Sequence, residues 1–331
     1  MKIPFLAILL VCAQTILAQE KYVVVIHGGA GTITKNNITP EKEKEIRRVL
    51  SASLQEGYQT LKKGGTATQA VASAIMVLEN NPNFNAGKGA VFTYEGKNEM
   101  DASIMQGHDL KAGAIAGVTT IKNPILGAIA VMEKSPHVML SGKGAEEFAG
   151  ENGLEIVPTS YFYTKERFKA LERFKEKEKK NTGVSTLRTK GTNDDKFGTV
   201  GAVALDKNGN IAAGTSTGGM TGKRYNRLGD SPIIGAGTYA NKTVGVSGTG
   251  WGEYFIRTTA ARTLAAKMDY QNLSIHEASQ EVINEISELG GDGGLIALDK
   301  NGNVAMPFST EGMYRGTITE DGKIEVQLYK Q

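Results

Sequence analysis

Residues 22–27, Tyr-Val-Val-Val-Ile-His, form an unbroken apolar run, which predicts a strand buried on both faces. Gly28-Gly29-Ala30-Gly31 follows and predicts a turn without side chains. Thr39-Pro40-Glu41 starts a helix, with Thr as cap and Pro at the first helical position. Ile46, Val49, Leu50, Leu54, Tyr58 and Leu61 then recur at helical spacing and give it one core face, until Gly64-Gly65 ends it. A second helix, about 68–78, is apolar nearly all round and therefore buried. It runs into the polar loop 79–89, whose carbonyls need partners such as a cation or water. Strands are predicted at 90–94, 100–105 and 112–120, and helices at 124–133 and 145–149. Residues 163–180 are helical and heavily charged, and 181–196 lack periodicity and read as a mobile linker.

Beyond the linker the pattern turns to strands, at 200–205 and 211–216 around the turn Asp206-Lys-Asn-Gly-Asn210. The same turn returns at 299–303, between 295–297 and 304–306. The two copies suggest equivalent strand–turn–strand ladders in stacked sheets. Further strands are predicted at 233–239, 244–247, 314–318 and 324–328, with helices at 253–268 and 274–289. This order describes an α+β layered domain of two packed sheets with helices outside.

Composition narrows the chemistry. The 331 residues are 40% hydrophobic and 22% charged, an ordinary globular balance, and a net charge of +3 is too small to argue for nucleic acid. No apolar run of 18 or more residues follows the N-terminus, so no membrane span is expected. Lys2 precedes the apolar run 3–11, and small or polar residues lead to Ala18-Gln19; residues 1–18 read as a secretory signal peptide. The one cysteine, Cys12, lies inside it, so the mature chain has no thiol chemistry. The four histidines, His27, His108, His137 and His276, have no metal-ligand spacing.

Candidate chemistry centres on residues 196–206. On these residues alone Thr199 opens a strand behind a dispensable linker; a cut before it would place its hydroxyl beside a free α-amine, a known way to activate a weak nucleophile. The hairpin turn brings Thr217, at the end of the paired strand, close to Thr199. Arg227 and Asp230, three residues apart, form either their own salt bridge or a clamp for a zwitterion, guanidinium to carboxylate and carboxylate to ammonium. Thr249 and Gly250 offer a hydroxyl and backbone amides before a helix, which suits an oxyanion hole.

Seven segments in order, HGGAG (27–31), FNAGKG (84–89), GTVGAVALD (198–206), TSTGGM (215–220), RLGDSPIIGAG (227–237), SGTGWGE (247–253) and GGLIALD…FSTEGMYR (293–315), resemble the plant-type L-asparaginase and isoaspartyl peptidase family of N-terminal nucleophile hydrolases. The resemblance covers essentially the whole mature chain. It implies a four-layer αββα sandwich made as a precursor that cuts itself at Gly198–Thr199. An α-subunit (19–198, its linker at about 181–198) and a β-subunit (199–331) then share one domain. It implies Thr199 as nucleophile, Thr217 as its supporting hydroxyl, and Arg227 and Asp230 as holders of the substrate's α-carboxylate and α-amine. Thr249 and Gly250 match the oxyanion donors, and Asn85 an asparagine near the nucleophile. The loop 78–88 matches a sodium-binding loop, with carbonyls of Leu78, Glu79, Asn81, Phe84, Ala86 and Lys88; no cofactor is implied for catalysis. Asparagine and β-aspartyl dipeptides are the implied substrates, with (αβ)2 as the implied assembly and no membrane contact once the signal is removed.

Two positions depart from the family. Asn226 stands where Gly is usual, just before Arg227, and Trp251 replaces a small residue, where its ring would narrow or line the leaving-group side. The signal peptide implies a periplasmic or secreted protein and also fits the glycosylasparaginases, which cleave a sugar–asparagine amide. A secreted amino-acid-binding protein using Arg227 and Asp230 is the non-enzymatic alternative.

Overall fold

The structure, a computed structural model, describes residues 21–180 and 198–330. The expected signal peptide and the linker up to residue 197 lie outside the described residues. The first part contains β1 (Val23–Gly31), α1 (Pro40–Lys62), α2 (Ala67–Glu79), β2 (Met100–Gln106), β3 (Ala112–Val118), α3 (Pro124–Lys134), β4 (Met139–Ser141), α4 (Gly142–Glu151) and α5 (Lys165–Lys180). After Gly198 come β5 (Val200–Leu205), β6 (Ile211–Thr217), β7 (Thr238–Ala240), β8 (Val244–Gly250), α6 (Gly252–Arg257), α7 (Ala260–Gln271) and α8 (Ile275–Glu288). The chain closes with β9 (Gly293–Asp299), β10 (Val304–Ala305), β11 (Gly312–Ile318) and β12 (Ile324–Tyr329).

Two sheets stack face to face. One has eight strands in the order β12-β11-β1-β5-β6-β2-β3-β4, and the other four, β10-β9-β8-β7. Strand alternation assigns each side chain to a layer. In β1, Val24 and Ile26 join the core beneath α1, α2 and α3, whereas Val23 and Val25 face the second sheet. In β9, Leu295 and Ala297 pack with Leu264, Val282 and Ile286 of α7 and α8, whereas Ile296 and Leu298 face the first sheet. Helix, sheet, sheet, helix is the αββα sandwich that the family implies. The two Asp-Lys-Asn-Gly-Asn turns do fall in different sheets. In each, the leading aspartate gathers turn amides, Asp206 from Asn208 and Asn210, and Asp299 from Asn301 and Asn303.

Several predicted elements differ. β1 runs on through Gly31, because the glycine stretch pairs with β11 past an irregularity between His27 and Gly29. Residues 90–94 are not a strand: Asn85 Oδ1 accepts from Val91 N–H and Asn98 Nδ2 donates to the Ala90 and Val91 carbonyls, so side-chain amides replace the ladder. Residues 233–237 coil into turns around the Asp230 carbonyl, which accepts from Ile233 and Gly237, and only Thr238–Ala240 pairs as a strand. The single helix expected over 253–268 is two. Thr259 takes a left-handed φ of 44°, and the first amides of α7 bond to the Gly235 and Ala236 carbonyls instead of continuing α6. The short edge strand β4 has no sequence pattern of its own.

Glu79, expected to offer only its carbonyl, uses its buried carboxylate to join three elements. It accepts from Ser216 Oγ (2.7 Å) in β6, from Ile125 N–H (2.9 Å) in the first turn of α3, and from Asn123 Nδ2 (3.0 Å). Burial pushes its pKa up to about 7, against those donated bonds. Glu79→Ala leaves Ser216 Oγ and Ile125 N–H without an acceptor, and Asn123 Nδ2 with Asn80 Oδ1 alone, so a loss of about 3 kcal/mol is expected in urea unfolding. A loss below about 0.5 kcal/mol would show that water replaces the carboxylate.

Candidate active site

The layer between the sheets changes character along the strands. At one end Val25, Val203, Ala213, Ile296 and Leu298 pack together. Toward the other end, cross-strand partners His27–Gly201, Gly201–Thr215 and Thr215–Ser103 form a polar row. One row further on, Thr217 pairs with Asp101, and Thr199 sits at the mouth of β5 beside them.

Thr199 and Thr217 meet as the hairpin predicts, with hydroxyl oxygens 3.0 Å apart. Thr217 Oγ1 also donates to the Gly198 carbonyl (3.3 Å) and accepts from Gly219 N–H (3.0 Å). The Gly198–Thr199 peptide is pressed between two elements. A Cβ on Gly29, whose φ is +115°, would stand 2.9 Å from Gly198 Cα; one on Gly198 would stand 2.7 Å from Asn85 Cβ. Only residues without side chains admit this approach. Asn85 is held in turn by Gly219, whose carbonyl accepts from Nδ2 at 2.7 Å, and by Gly218 N–H on its own carbonyl.

His27, which the sequence marks only as a histidine without metal spacing, is fully buried here. Its Nδ1 lies 3.0 Å from the Thr199 carbonyl and its Nε2 2.9 Å from Ser247 Oγ. A carbonyl only accepts, so Nδ1 carries the proton and Nε2 accepts from Ser247. Thr215 Oγ1 follows at 2.7 Å from Ser247, then Thr238, then Ser103, which reaches the Ser231 carbonyl at 2.6 Å. A chain of hydroxyls thus runs from beside Asp230 to the peptide of Thr199. With both ring nitrogens engaged and none on a hydroxyl of Thr199, His27 is no general base for that residue.

Burial holds His27 neutral, pulling its pKa from 6.5 down to about 3 against the bond to Thr199. The folded value is depressed, so this contribution to stability is complete above 6.5 and declines as pH falls toward 3. Between pH 7 and 5, wild type is expected to lose about 2 kcal/mol relative to His27→Gln. Parallel urea midpoints for the two proteins would show that His27 takes up a proton without cost.

Arg227 and Asp230 do not form a salt bridge with each other. The Arg227 fork lies on Glu253, Nε to Oε1 at 2.8 Å and Nη2 to Oε2 at 2.7 Å. Asp230 is buried, and its Oδ2 has no hydrogen-bond partner among the described residues. Burial pushes Asp230 up to about 6; its own N–H and Arg227 oppose this, and the Glu253 and Asp101 carboxylates reinforce it. Behind Thr217, Asp101 is also raised by burial and opposed first by the Lys223 ammonium. Gly252 brings the clamp together, since a Cβ there would stand 2.8 Å from Asp230 Oδ1 and 3.0 Å from Arg227 Nη2. Asn226 precedes Arg227 with φ 54°, and Tyr225 with φ 57°. Asparagine tolerates this left-handed conformation, so the usual glycine is dispensable there.

Thr249, buried at the end of β8, accepts from Ala30 N–H at 3.3 Å and so ties the second sheet to the glycine stretch of β1. Gly250 lies opposite Gly293 in the β8–β9 ladder. The Trp251 ring packs edge-on against Tyr254, centroids 5.1 Å apart, at the start of α6. In the loop 78–88, carbonyls of Leu78, Asn81 and Ala86 accept from Asn81, Phe84 and Gly89 N–H groups. Those of Glu79 and Phe84 turn toward Gly87 and Gly89, close enough that a side chain there would strike them. Among the described residues no group of three or more His, Cys, Asp or Glu side chains could hold a metal, and no helix is long and apolar enough to cross a membrane.

The family model described as asparaginase matches residues 20–328. Over 300 residues the chain is 50% identical to an isoaspartyl peptidase of Escherichia coli (strain K12), covering 89% of this chain and 92% of that protein. An isoaspartyl peptidase/L-asparaginase of Mus musculus is 42% identical over 308 residues, covering 92% and 90%. Its counterpart in Homo sapiens is 40% identical over 305 residues, covering 91% and 94%.

Proposed function

Because the chain belongs to the plant-type L-asparaginase and isoaspartyl peptidase family, we propose that it hydrolyses asparagine and β-aspartyl dipeptides, with Thr199 as nucleophile once the Gly198–Thr199 bond is cut. One observation carries this reading: Thr217 Oγ1 stands 3.0 Å from the Thr199 hydroxyl and bonds the Gly198 carbonyl at 3.3 Å. The hydroxyl that would attack and the carbonyl that would be attacked share one polarising partner.

In the precursor, Thr199 Oγ adds to the Gly198 carbonyl carbon, and Thr217 donates to the oxygen that gains charge. The C–N bond breaks, the Thr199 nitrogen takes the proton, and water hydrolyses the ester, freeing the Gly198 carboxylate. The new α-amine, with a reference pKa of about 7.7–8.0, is a suitable base near neutral pH. It takes the Thr199 hydroxyl proton as Oγ attacks the substrate's side-chain carbonyl. Thr249 and the Gly250 amide are the proposed oxyanion donors. Ammonia or an amino acid leaves with a proton, and water then releases aspartate from the ester.

Binding follows from charge. The substrate's α-carboxylate competes with Glu253 for the Arg227 fork, and its ammonium supplies the partner that buried Asp230 lacks. Asn85 borders the nucleophile. Cleavage would not separate the subunits, because strand order β1-β5-β6-β2 interleaves segments from before and after Gly198. A sodium ion in the loop 78–88 would meet carbonyls of Leu78, Glu79, Asn81, Phe84, Ala86 and Lys88; its role would be to hold the loop that carries Asn85. An (αβ)2 assembly and export directed by residues 1–18 complete the proposal. Relative kcat/KM on asparagine, β-Asp-Leu and N-acetylglucosaminyl-asparagine tests the substrate class. Preference for the first two is expected, and fastest cleavage of the sugar amide would overturn it.

A further inference from the structure

Beside Gly198 lies a cavity of about 530 Å³, and neither Arg227 nor Asp230 lines it. The clamp meets Gly248 and Gly252 and senses Asp101 of β2, whereas the cavity lies over β1 and β11, across β5. For a substrate with its α-end at the clamp and its carbonyl at Thr199, this cavity on the β1 side is the space open to the leaving group. Its walls include Gly29, Asn85 and Gly198, which places it against the proposed scissile bond, and Trp251, expected on the leaving-group side, is not among them.

The charged lining of the cavity is Lys42, Glu166 and Arg167, two cations to one carboxylate, a balance that favours an anion. Arg167 of α5 lines it, and among the described residues its guanidinium forms no ion pair, although the Glu166 carboxylate acts on it through space. Nε donates to the Gly89 carbonyl at 2.9 Å and Nη2 reaches the Asn83 carbonyl at 3.5 Å. Two of five guanidinium N–H groups are thereby used, so donors remain. Tyr314 of β11 lines the same cavity, edge-on against Phe84, and among the described residues its hydroxyl makes no hydrogen bond. Lys42 adds a second cation, though Asn83 Oδ1 and Glu166 already engage it.

The geometry points to this cavity as the leaving-group subsite, in which Arg167 and the Tyr314 hydroxyl take the α-carboxylate of the amino acid expelled from a β-aspartyl dipeptide. The inference rests on the proposed Thr199 reading. Asparagine expels ammonia and makes no use of the subsite, so Arg167 separates the two substrates rather than serving both. The same carboxylate chemistry would suit the free Gly198 terminus, which the substrate comparison distinguishes.

The test is kcat/KM of the processed enzyme on β-Asp-Leu, β-Asp-Leu amide and asparagine, in wild type, Arg167→Gln and Tyr314→Phe. Arg167→Gln is expected to lose on the order of 10–100-fold on β-Asp-Leu, mostly in KM, with the amide and asparagine within about twofold. Tyr314→Phe, which leaves the loop carbonyls untouched, is expected to lose about 3–10-fold on β-Asp-Leu alone. Equal losses on all three substrates would mean that Arg167 only supports the loop carrying Asn85. Unchanged β-Asp-Leu kinetics in both variants, or slower processing with normal dipeptide kinetics, would remove the subsite. Failure of the Thr199 reading is separable, since wild type would then not cleave itself.

Discussion

Thr199→Ala is expected to remain one chain through prolonged incubation and to lose asparagine and β-aspartyl hydrolysis by at least about 10⁴-fold. The substitution removes only a hydroxyl and a methyl at the mouth of β5. The Gly198–Thr199 peptide stays between Gly29 and Asn85, and His27 keeps its bond to the residue's carbonyl. Folding should therefore survive, and circular dichroism with urea unfolding checks that it does. Thr217→Val separates nucleophile from support: it keeps the shape but removes the hydroxyl 3.0 Å from Thr199 Oγ1 and its bond to the Gly198 carbonyl. Slower cleavage is expected, by about 10²–10³-fold, as for loss of one oxyanion donor. Hydrolysis by a stably uncut Thr199→Ala protein would sink the mechanism.

Asp230→Asn is expected to lower kcat/KM on asparagine by about 10²–10³-fold, mainly through KM. The carboxylate is buried with one oxygen unpartnered among the described residues, so a substrate ammonium would gain a charge partner shielded from water. An amide keeps the shape and loses the charge. Because burial holds Asp230 at about 6, wild-type kcat/KM should fall as acid protonates the free enzyme through that value. This acid limb should be absent in the variant. Autocleavage, which needs no zwitterion, should proceed at nearly the wild-type rate. A variant that loses cleavage and hydrolysis together would place Asp230 in the fold's support instead of in substrate binding.

Much of this architecture was legible because it rests on local rules. Helical periodicity found α1, runs of strand formers flanking a turn found β5, β6 and β9, and the repeated Asp-Lys-Asn-Gly-Asn turn pointed to two stacked sheets. The Thr199–Thr217 contact followed from hairpin register alone. What stayed hidden depends on contacts distant in sequence. Glu253 competes with Asp230 for Arg227 only because α6 folds back onto the residues after β6. Residues 90–94 have strand composition but lose their ladder to the Asn85 and Asn98 amides. His27 was visible as a residue, but its role needed Ser247, 220 positions away, on the facing sheet. Arg167 sits in a charged helix that reads as solvated surface, and only the fold turns it inward to the Gly89 carbonyl.

The most direct test of the central claim is the N-terminal sequence of the smaller chain formed when purified wild-type protein is incubated. The account predicts two chains, the smaller beginning Thr-Val-Gly-Ala-Val at Thr199, with activity rising in step with its appearance. An active protein that stays whole, or one cut at any other bond, would contradict it.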